Sequence, residues 1–347
     1  MVTDSTLSDM ERRLVRYGDL RPCRNAFVDS RSPGSEQKEN FTIIGPGVSE
    51  NPNQHVHIAL PHGFNIGGAR QPPGCLNSQH SHETAEVFIV QSGRWLFRSG
   101  ERGEDGEIVL TAGDTISLPI HMFRGFENIG DDVGFMFAVL GGNNPGRVTW
   151  APQVFDLARD HGLVLLANGR LVDTVLGETA PEGVAPMQPT SWEDVARMRR
   201  VSSADLAACV QHASWLPSSA PSVLAQHAFS GHLDEAAIIG EASPDEQLPA
   251  GHMAWSHGFH LRRLAFQPRT TVPSHVRRDE EVLLMHRGTL RFQWNGESLD
   301  LSPGDVLTVP KGSPRQYSNP CDAPAIVFVV RGGDPPAAPE WVADMSA

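Results

Sequence analysis

The chain is poor in the residues that mark several large classes of protein. Its four cysteines, Cys23, Cys75, Cys209 and Cys321, are scattered and form no C-x-x-C pair, which excludes a disulfide framework and a thiolate zinc site. Basic residues are also scarce: 28 Lys+Arg against 41 Asp+Glu give a net charge of −13. That balance argues against a nucleic-acid or anionic-membrane partner. No apolar run approaches the ~18 residues of a membrane-spanning helix. The opening MVTDSTLSDMERRL lacks an apolar signal core, so the expected compartment is a reducing cytoplasm. What remains is ordinary globular material, 39% hydrophobic and 20% charged. At roughly 150 residues per domain, its length suggests two domains.

One stretch, GCLNSQHSHETAEVFIVQSG (74–93), places two histidines and a glutamate at close spacing. His80, His82 and Glu86 share parity, so a strand continuing to Phe88 would project all three to one face. Two imidazoles and a carboxylate converging there suit a divalent first-row metal and leave positions open for substrate, O2 or water. Fe(II) is the natural ion for that set; Mn, Ni, Co, Cu and Zn fit the same residue types. His55 and His57 form a second His-x-His pair but lack a matching carboxylate and flanking glycines.

The spacing G-x5-H-x-H-x3-E-x6-G resembles the first motif of the cupin superfamily, and GDTISLPIHMFRGFEN (113–128) resembles the second. Gly113, Pro119 and Asn128 are in register. Two positions depart: His121 stands where the family has glycine, and Arg124 stands where it has a fourth metal-binding histidine. His121, three residues away, is a candidate to restore a fourth ligand, with His62 as the alternative.

The pattern then repeats. HGFNIGGARQPPGCLNSQHSHETAEVF (62–88) aligns without gaps on HGFHLRRLAFQPRTTVPSHVRRDEEVL (257–283), an offset of 195 that becomes 191 at the second motif, GDVLTVPKGSPRQYSN. A repeat at so steady an offset marks two copies of one architecture. The chain thus resembles a bicupin over residues 41–142 and 240–332. Short strands punctuated by glycine, proline and charged turns argue independently for an all-β sandwich or barrel. The resemblance implies two double-stranded β-helix barrels in tandem.

The layout expected is an N-terminal extension (1–40), a metal-bearing cupin barrel (41–142), a partly helical connection (143–240), a degenerate cupin barrel (241–335) and a tail (336–347). Within it, a helix is expected from about Ser8 to Tyr17 and an exposed loop over 30–40. A helix from Pro152 should stop at Gly162, a strand pair should flank Asn168–Gly169, a helix should be capped by Thr190 with Glu193, and another should run from Ser203 to Val210. The stretch 214–222 reads as flexible or extended. Trp95, Phe97, Phe88 and Phe123 read as core, and the recurring His62 and His257 as rim histidines held by backbone.

In the second copy the four ligand positions read His275, Arg277, Glu281 and Arg315. One histidine and one carboxylate are too few for a metal, and Arg277 and Arg315 can pair with Glu281 in its place. One ion per chain is therefore expected, on His80, His82 and Glu86. The functional expectation is an Fe(II) dioxygenase-type enzyme resembling the gentisate and quercetin bicupins. It would act on a small anionic aromatic or enolic acid whose acidic group meets Arg124. The alternatives are a non-redox metal-assisted isomerase or lyase, or a non-catalytic binder of a small acid or sugar. A homo-oligomer is compatible with all of them.

Overall fold

The computed structural model describes residues 7–215, 221–333 and 336–342. Part of the 214–222 stretch and the last five residues of the C-terminal tail lie outside these. The chain divides into two compact units, Arg21–Ala213 in one and Met1–Leu20 with Ser214–Ala347 in the other.

The Arg21–Ala213 unit contains two large antiparallel sheets. One runs in the order Val148–Trp150, Leu76–His82, Arg124–Asn128, Arg94–Ser99, Gly106–Thr111. The other runs Val210–Gln211, Thr115–Leu118, Glu86–Ser92, Gly134–Gly141, Phe64–Gln71, Glu39–Ile44, Val56–Ile58, with only the last pair parallel. The expected hairpin closes at Ser99 opposite Gly106. Its predecessor turns at Gly93, whose φ of 91° suits glycine. Apolar side chains fill the space between the sheets: Phe88, Trp95, Phe97, Leu110, Ile116 and Phe126 are buried together, each contributing roughly 1.5–3 kcal/mol of transfer free energy.

The second unit repeats this plan. Its sheets run Glu297–Leu301, Leu290–Trp294, Arg315–Ser318, Thr271–Val276, Glu340–Trp341 and Leu14–Val15, Val306–Val309, Glu281–Arg287, Ala325–Gly332, Phe259–Phe266, Leu233–Ile239. Apart from Val56–Ile58, which has no counterpart, this is the order of the two sheets of the first unit. The all-β tandem architecture expected from the repeat is present.

Several local expectations are corrected. The N-terminal helix covers only Leu7–Glu11, and Leu14–Val15 is a strand on Val306–Leu307. An open sheet edge offers unpaired backbone groups that a short helix cannot satisfy. Met10 is buried in that unit's core. Residues 30–40 are not an exposed loop: Ser32, Ser35 and Lys38 are buried, and this stretch is tied to the barrel through Leu76 N–H to Gly34 O (2.8 Å) and Ser35 Oγ to Leu76 O (2.9 Å).

The helix Pro152–Asp160, ended by Gly162 at φ 80°, and the strand pair Leu163–Leu165 with Leu171–Asp173 stand as expected. The helix Trp192–Arg197 is capped by Ser191, whose hydroxyl accepts from Asp194 N–H, one residue later than expected. Thr190 donates instead to Trp150 O (2.7 Å). A true capping box, Ser202 with Asp205, opens Ser203–Ala208. Leu206 of that helix is buried in the core of the Arg21–Ala213 unit.

Candidate metal centre

His80 and His82 lie on Leu76–His82, and the strand ends there. The chain turns over 83–85, and Glu86 opens Glu86–Ser92 in the facing sheet. The single continuous strand expected from parity is therefore broken. The three side chains meet because two sheets face each other across an apolar interior. One ligand atom from each of His80, His82 and Glu86 lies within 4.8 Å of the others, and all three residues are buried. A first-row ion bonded at about 2.0–2.2 Å spans at most about 4.4 Å between donors, so small side-chain shifts close the set.

The tautomer of His80 is fixed from behind. Its Nδ1–H donates to Ser78 O at 2.8 Å, leaving the Nε2 lone pair for a ligand. Ser78 N–H donates to Asp29 Oδ2 (3.0 Å). Asp29 is paired with the fully buried Lys38, and Lys38 Nζ donates to Asn77 Oδ1 (2.9 Å) beside the same imidazole. The stretch read as a loop thus braces the first ligand. His82 Nδ1 is buried without a hydrogen-bond partner among the described residues. Burial, reinforced by the positive charge of Arg124, lowers His80 to about 3 and places His82 well below its ordinary value. Both imidazoles are neutral and available as donors.

Arg124 sits opposite His80 on the adjoining strand and is 1% exposed. Its guanidinium donates to Glu86 Oε2 at 2.9 Å, a different placement from the substrate-facing one expected. Glu127 is occupied by Arg98 at 2.8 Å. Glu86 Oε1 lies toward His82 Nε2 (3.7 Å), so one carboxylate oxygen is held by arginine and the other faces the histidines. Burial raises the Glu86 carboxyl and lowers the Arg124 guanidinium, and each opposes the other's shift.

The remaining histidine candidates stay outside this cluster. His121 is exposed with φ 56°, and its counterpart Gly312 has φ 71°. The turn demands a left-handed residue, which explains the family's glycine. His57 accepts from Arg21 N–H through Nε2 (3.0 Å) and bonds Thr42 O through Nδ1 (2.8 Å). His62 and His257 each bond a carbonyl two residues back, Leu60 and Trp255, at 2.7 Å.

A cavity of about 70 Å³ opens beside the three ligands, walled by Phe27, Asn40, Gln54, Gly67, Leu140 and Trp150 among others. Trp150 was missed by sequence reasoning. It pairs with His80 across the strands, with ring centroids 5.3 Å apart. The signal was available: Trp341 stands 191 residues later and pairs with His275 in the same way, at 5.6 Å. Phe27 and Asn40 come from the segment that precedes the repeat, where no motif points to them.

In the second unit Arg315 Nη1 donates to Glu281 Oε2 at 2.5 Å, as the substituted ligand positions suggested. Arg277 donates chiefly to Glu246 (2.5 Å) and lies 3.7 Å from Glu281. Arg331 bonds Glu246 as well (2.7 Å). Against the cost of burial, Arg315, Arg277 and Arg331 hold Glu281 well below the usual carboxylate range.

The cupin domain family matches residues 69–140 and 262–331. Two cupin domains are present. In sequence, 88 residues are 35% identical to germin-like protein subfamily 1 member 7 of Arabidopsis thaliana, covering 24% of this chain and 38% of that relative; the chain thus spans well under half of the relative's length. Among solved structures, oxalate decarboxylase from Lactobacillus farciminis, in a formate complex, is similar over 97% of this chain and 90% of its own, with TM-score 0.54 and 13% identity. Vicilin from Capsicum annuum is similar over 96% and 90%, with TM-score 0.55 and 12% identity. At these identities the likeness is one of cupin fold. No helix among the described residues is long and apolar enough to cross a membrane.

Proposed function

We propose that the first cupin barrel is the centre of a metal-dependent enzyme of the Fe(II) dioxygenase type, acting on a small organic acid. The observation that carries this reading is the convergence of three buried side chains, His80, His82 and Glu86, within 4.8 Å beside a cavity. Two neutral imidazoles and one carboxylate oxygen would hold the ion, and the cavity side would be left for substrate and O2. When bound, such an ion polarises a coordinated oxygen and brings two reactants together. The chain's own contribution is positional. Ser78 fixes the His80 tautomer, Arg124 fixes the Glu86 carboxylate, and the Trp150, Phe27 and Leu140 side chains give the cavity beside the ligands apolar walls.

A second reading rests on Arg124. A guanidinium on the far oxygen of Glu86 draws charge away from the metal and suits Lewis-acid chemistry, such as non-redox lysis or isomerisation of a similar acid. The oxalate decarboxylase fold likeness is compatible with it, although a shared fold does not fix chemistry. Oxygen uptake separates the two. Fe(II)-loaded protein prepared without an affinity tag should consume O2 with a member of a panel of hydroxylated aromatic and enolic acids. Turnover of such an acid under argon, with no O2 consumed in air, overturns the dioxygenase reading in favour of the second.

A further inference from the structure

We infer that the metal-loaded first barrel selects a small dianion over a monoanion of the same shape, and that Arg124 sets this preference through charge rather than contact. The inference rests on the proposed metal site and adds the class of ligand. Glu86 is the only charged side chain among the cavity-lining residues, and Arg124 cancels it at 2.9 Å. Behind the ligands, Asp29 is cancelled by Lys38, both fully buried. Glu50, which accepts from Trp150 Nε1–H at 2.6 Å, is pushed up to about 8 by burial and is uncharged near neutrality. Imidazoles that ligate a metal do so as neutral donors. The protein's own charge around the cavity therefore sums to zero.

A dication then leaves two positive charges in a water-poor interior, where an uncompensated charge is expensive. The same two-histidine, one-carboxylate set without the arginine would leave one, which a monoanion would balance. Arg124 thus moves the preferred ligand charge by one unit. A second feature agrees. Asn40 is 8% exposed and lines the cavity, and its Nδ2 has no hydrogen-bond partner among the described residues. That amide is a ready donor to a second anionic group. The volume of about 70 Å³, at roughly 10–15 Å³ per water, suits a small ligand.

The test uses the full chain loaded with Zn(II), metal content verified by plasma mass spectrometry, and calorimetric titration at pH 7.5 with malonate and with malonamate, its isosteric monoanion. Malonate should bind at least tenfold tighter. Arg124→Met should bring the ratio toward one. Arg124→Lys, which keeps the charge, should retain most of the preference and guards against a folding defect in the first variant. Asn40→Ala should weaken malonate severalfold while metal content stays the same. Equal affinity of the parent protein for both ligands, or an undiminished ratio in a folded Arg124→Met protein, overturns the inference while leaving the metal site standing. A parent protein that takes up no metal overturns both.

Discussion

The two barrels share a strand order and a buried Glu–Arg pair, Glu86–Arg124 at 2.9 Å and Glu281–Arg315 at 2.5 Å, yet among the described residues only the first brings together three side chains that could hold a metal. They differ in three positions that face the same interior. Where the first barrel has Gly67, His82 and Leu140, the second has Arg262, Arg277 and Arg331. The register supports the equivalence: Leu140 and Arg331 lie opposite Glu86 and Glu281, and Gly67 and Arg262 lie opposite Ala138 and Val329. Small and apolar residues leave a cavity in one barrel. In the other, three guanidinium groups fill the interior against Glu235, Glu246 and Glu281. The histidine that both barrels keep, His80 and His275, bonds a carbonyl two residues back in each. That histidine therefore does not distinguish the candidate metal site. The second histidine and the glycine do.

The sharpest way to break this comparison is at the second histidine. His82→Ala should abolish metal occupancy, because a three-ligand site cannot spare a donor, and His275→Ala should leave occupancy unchanged. Metal analysis of tag-free protein reads both, with one ion per chain expected in the parent. Two ions per chain would mean that the arginine-filled barrel is not the silent partner drawn here.

The next effect is on stability in the other barrel. Glu281→Ala removes the carboxylate that Arg315 and Tyr317 both bond and leaves buried guanidinium charge uncompensated. Removing one member of such a cluster costs about 3–5 kcal/mol. Denaturant unfolding should show that loss, and metal content should not change. A loss below about 1 kcal/mol would mean that water reaches the cluster.

A smaller effect is expected from Lys38→Met. Its ammonium is bonded to Asp29 and Asn77, which brace His80. Removing an outer partner of a metal ligand typically costs 10–100-fold in affinity. A merely structural lysine would lower the melting temperature and leave the metal dissociation constant as it was.

These cases also show what was legible beforehand. The fold could be read because the repeat carries its own control: two copies at a steady offset, with glycines at turns that need φ above zero. The ligands could be read because His-x-His and the glutamate share a short stretch. The partner of Arg124 could not, since opposition on neighbouring strands depends on register, not spacing. Lys38 looked like loop because the groups that bury it, Asp29 and Asn77, stand 9 and 39 residues away. Leu14 looked helical because its local pattern fits a helix, whereas its backbone partner is Leu307. Each miss is a long-range contact overriding a local preference. Trp150 is the exception, since its repeat at Trp341 was there to be found.

The smallest effect lies behind that tryptophan and has no counterpart among the ionic contacts of the second barrel. Glu50 accepts from Trp150 Nε1–H at 2.6 Å and from Val28 N–H at 2.7 Å, joining the wall of the cavity to the segment before the barrel. Burial pushes its carboxyl up to about 8 from an ordinary 4.5, against the pull of those donors. Between these two values the folded protein keeps a proton that the unfolded chain releases. The unfolded state then binds fewer protons, so stability falls as pH rises through the window and levels off above it. From pH 6.5 to 8.5 the fall amounts to about 2 kcal/mol. Glu50→Gln cannot titrate. Its overall stability can shift either way, because an amide replaces an acceptor with a donor facing N–H groups, but this part of the slope should vanish. Urea unfolding of parent and variant at pH 6.5, 7.5 and 8.5 reads the difference. Parallel curves would show that Glu50 is already ionised at pH 6.5, held by its two N–H donors, and the charge sum around the metal would then be lower by one.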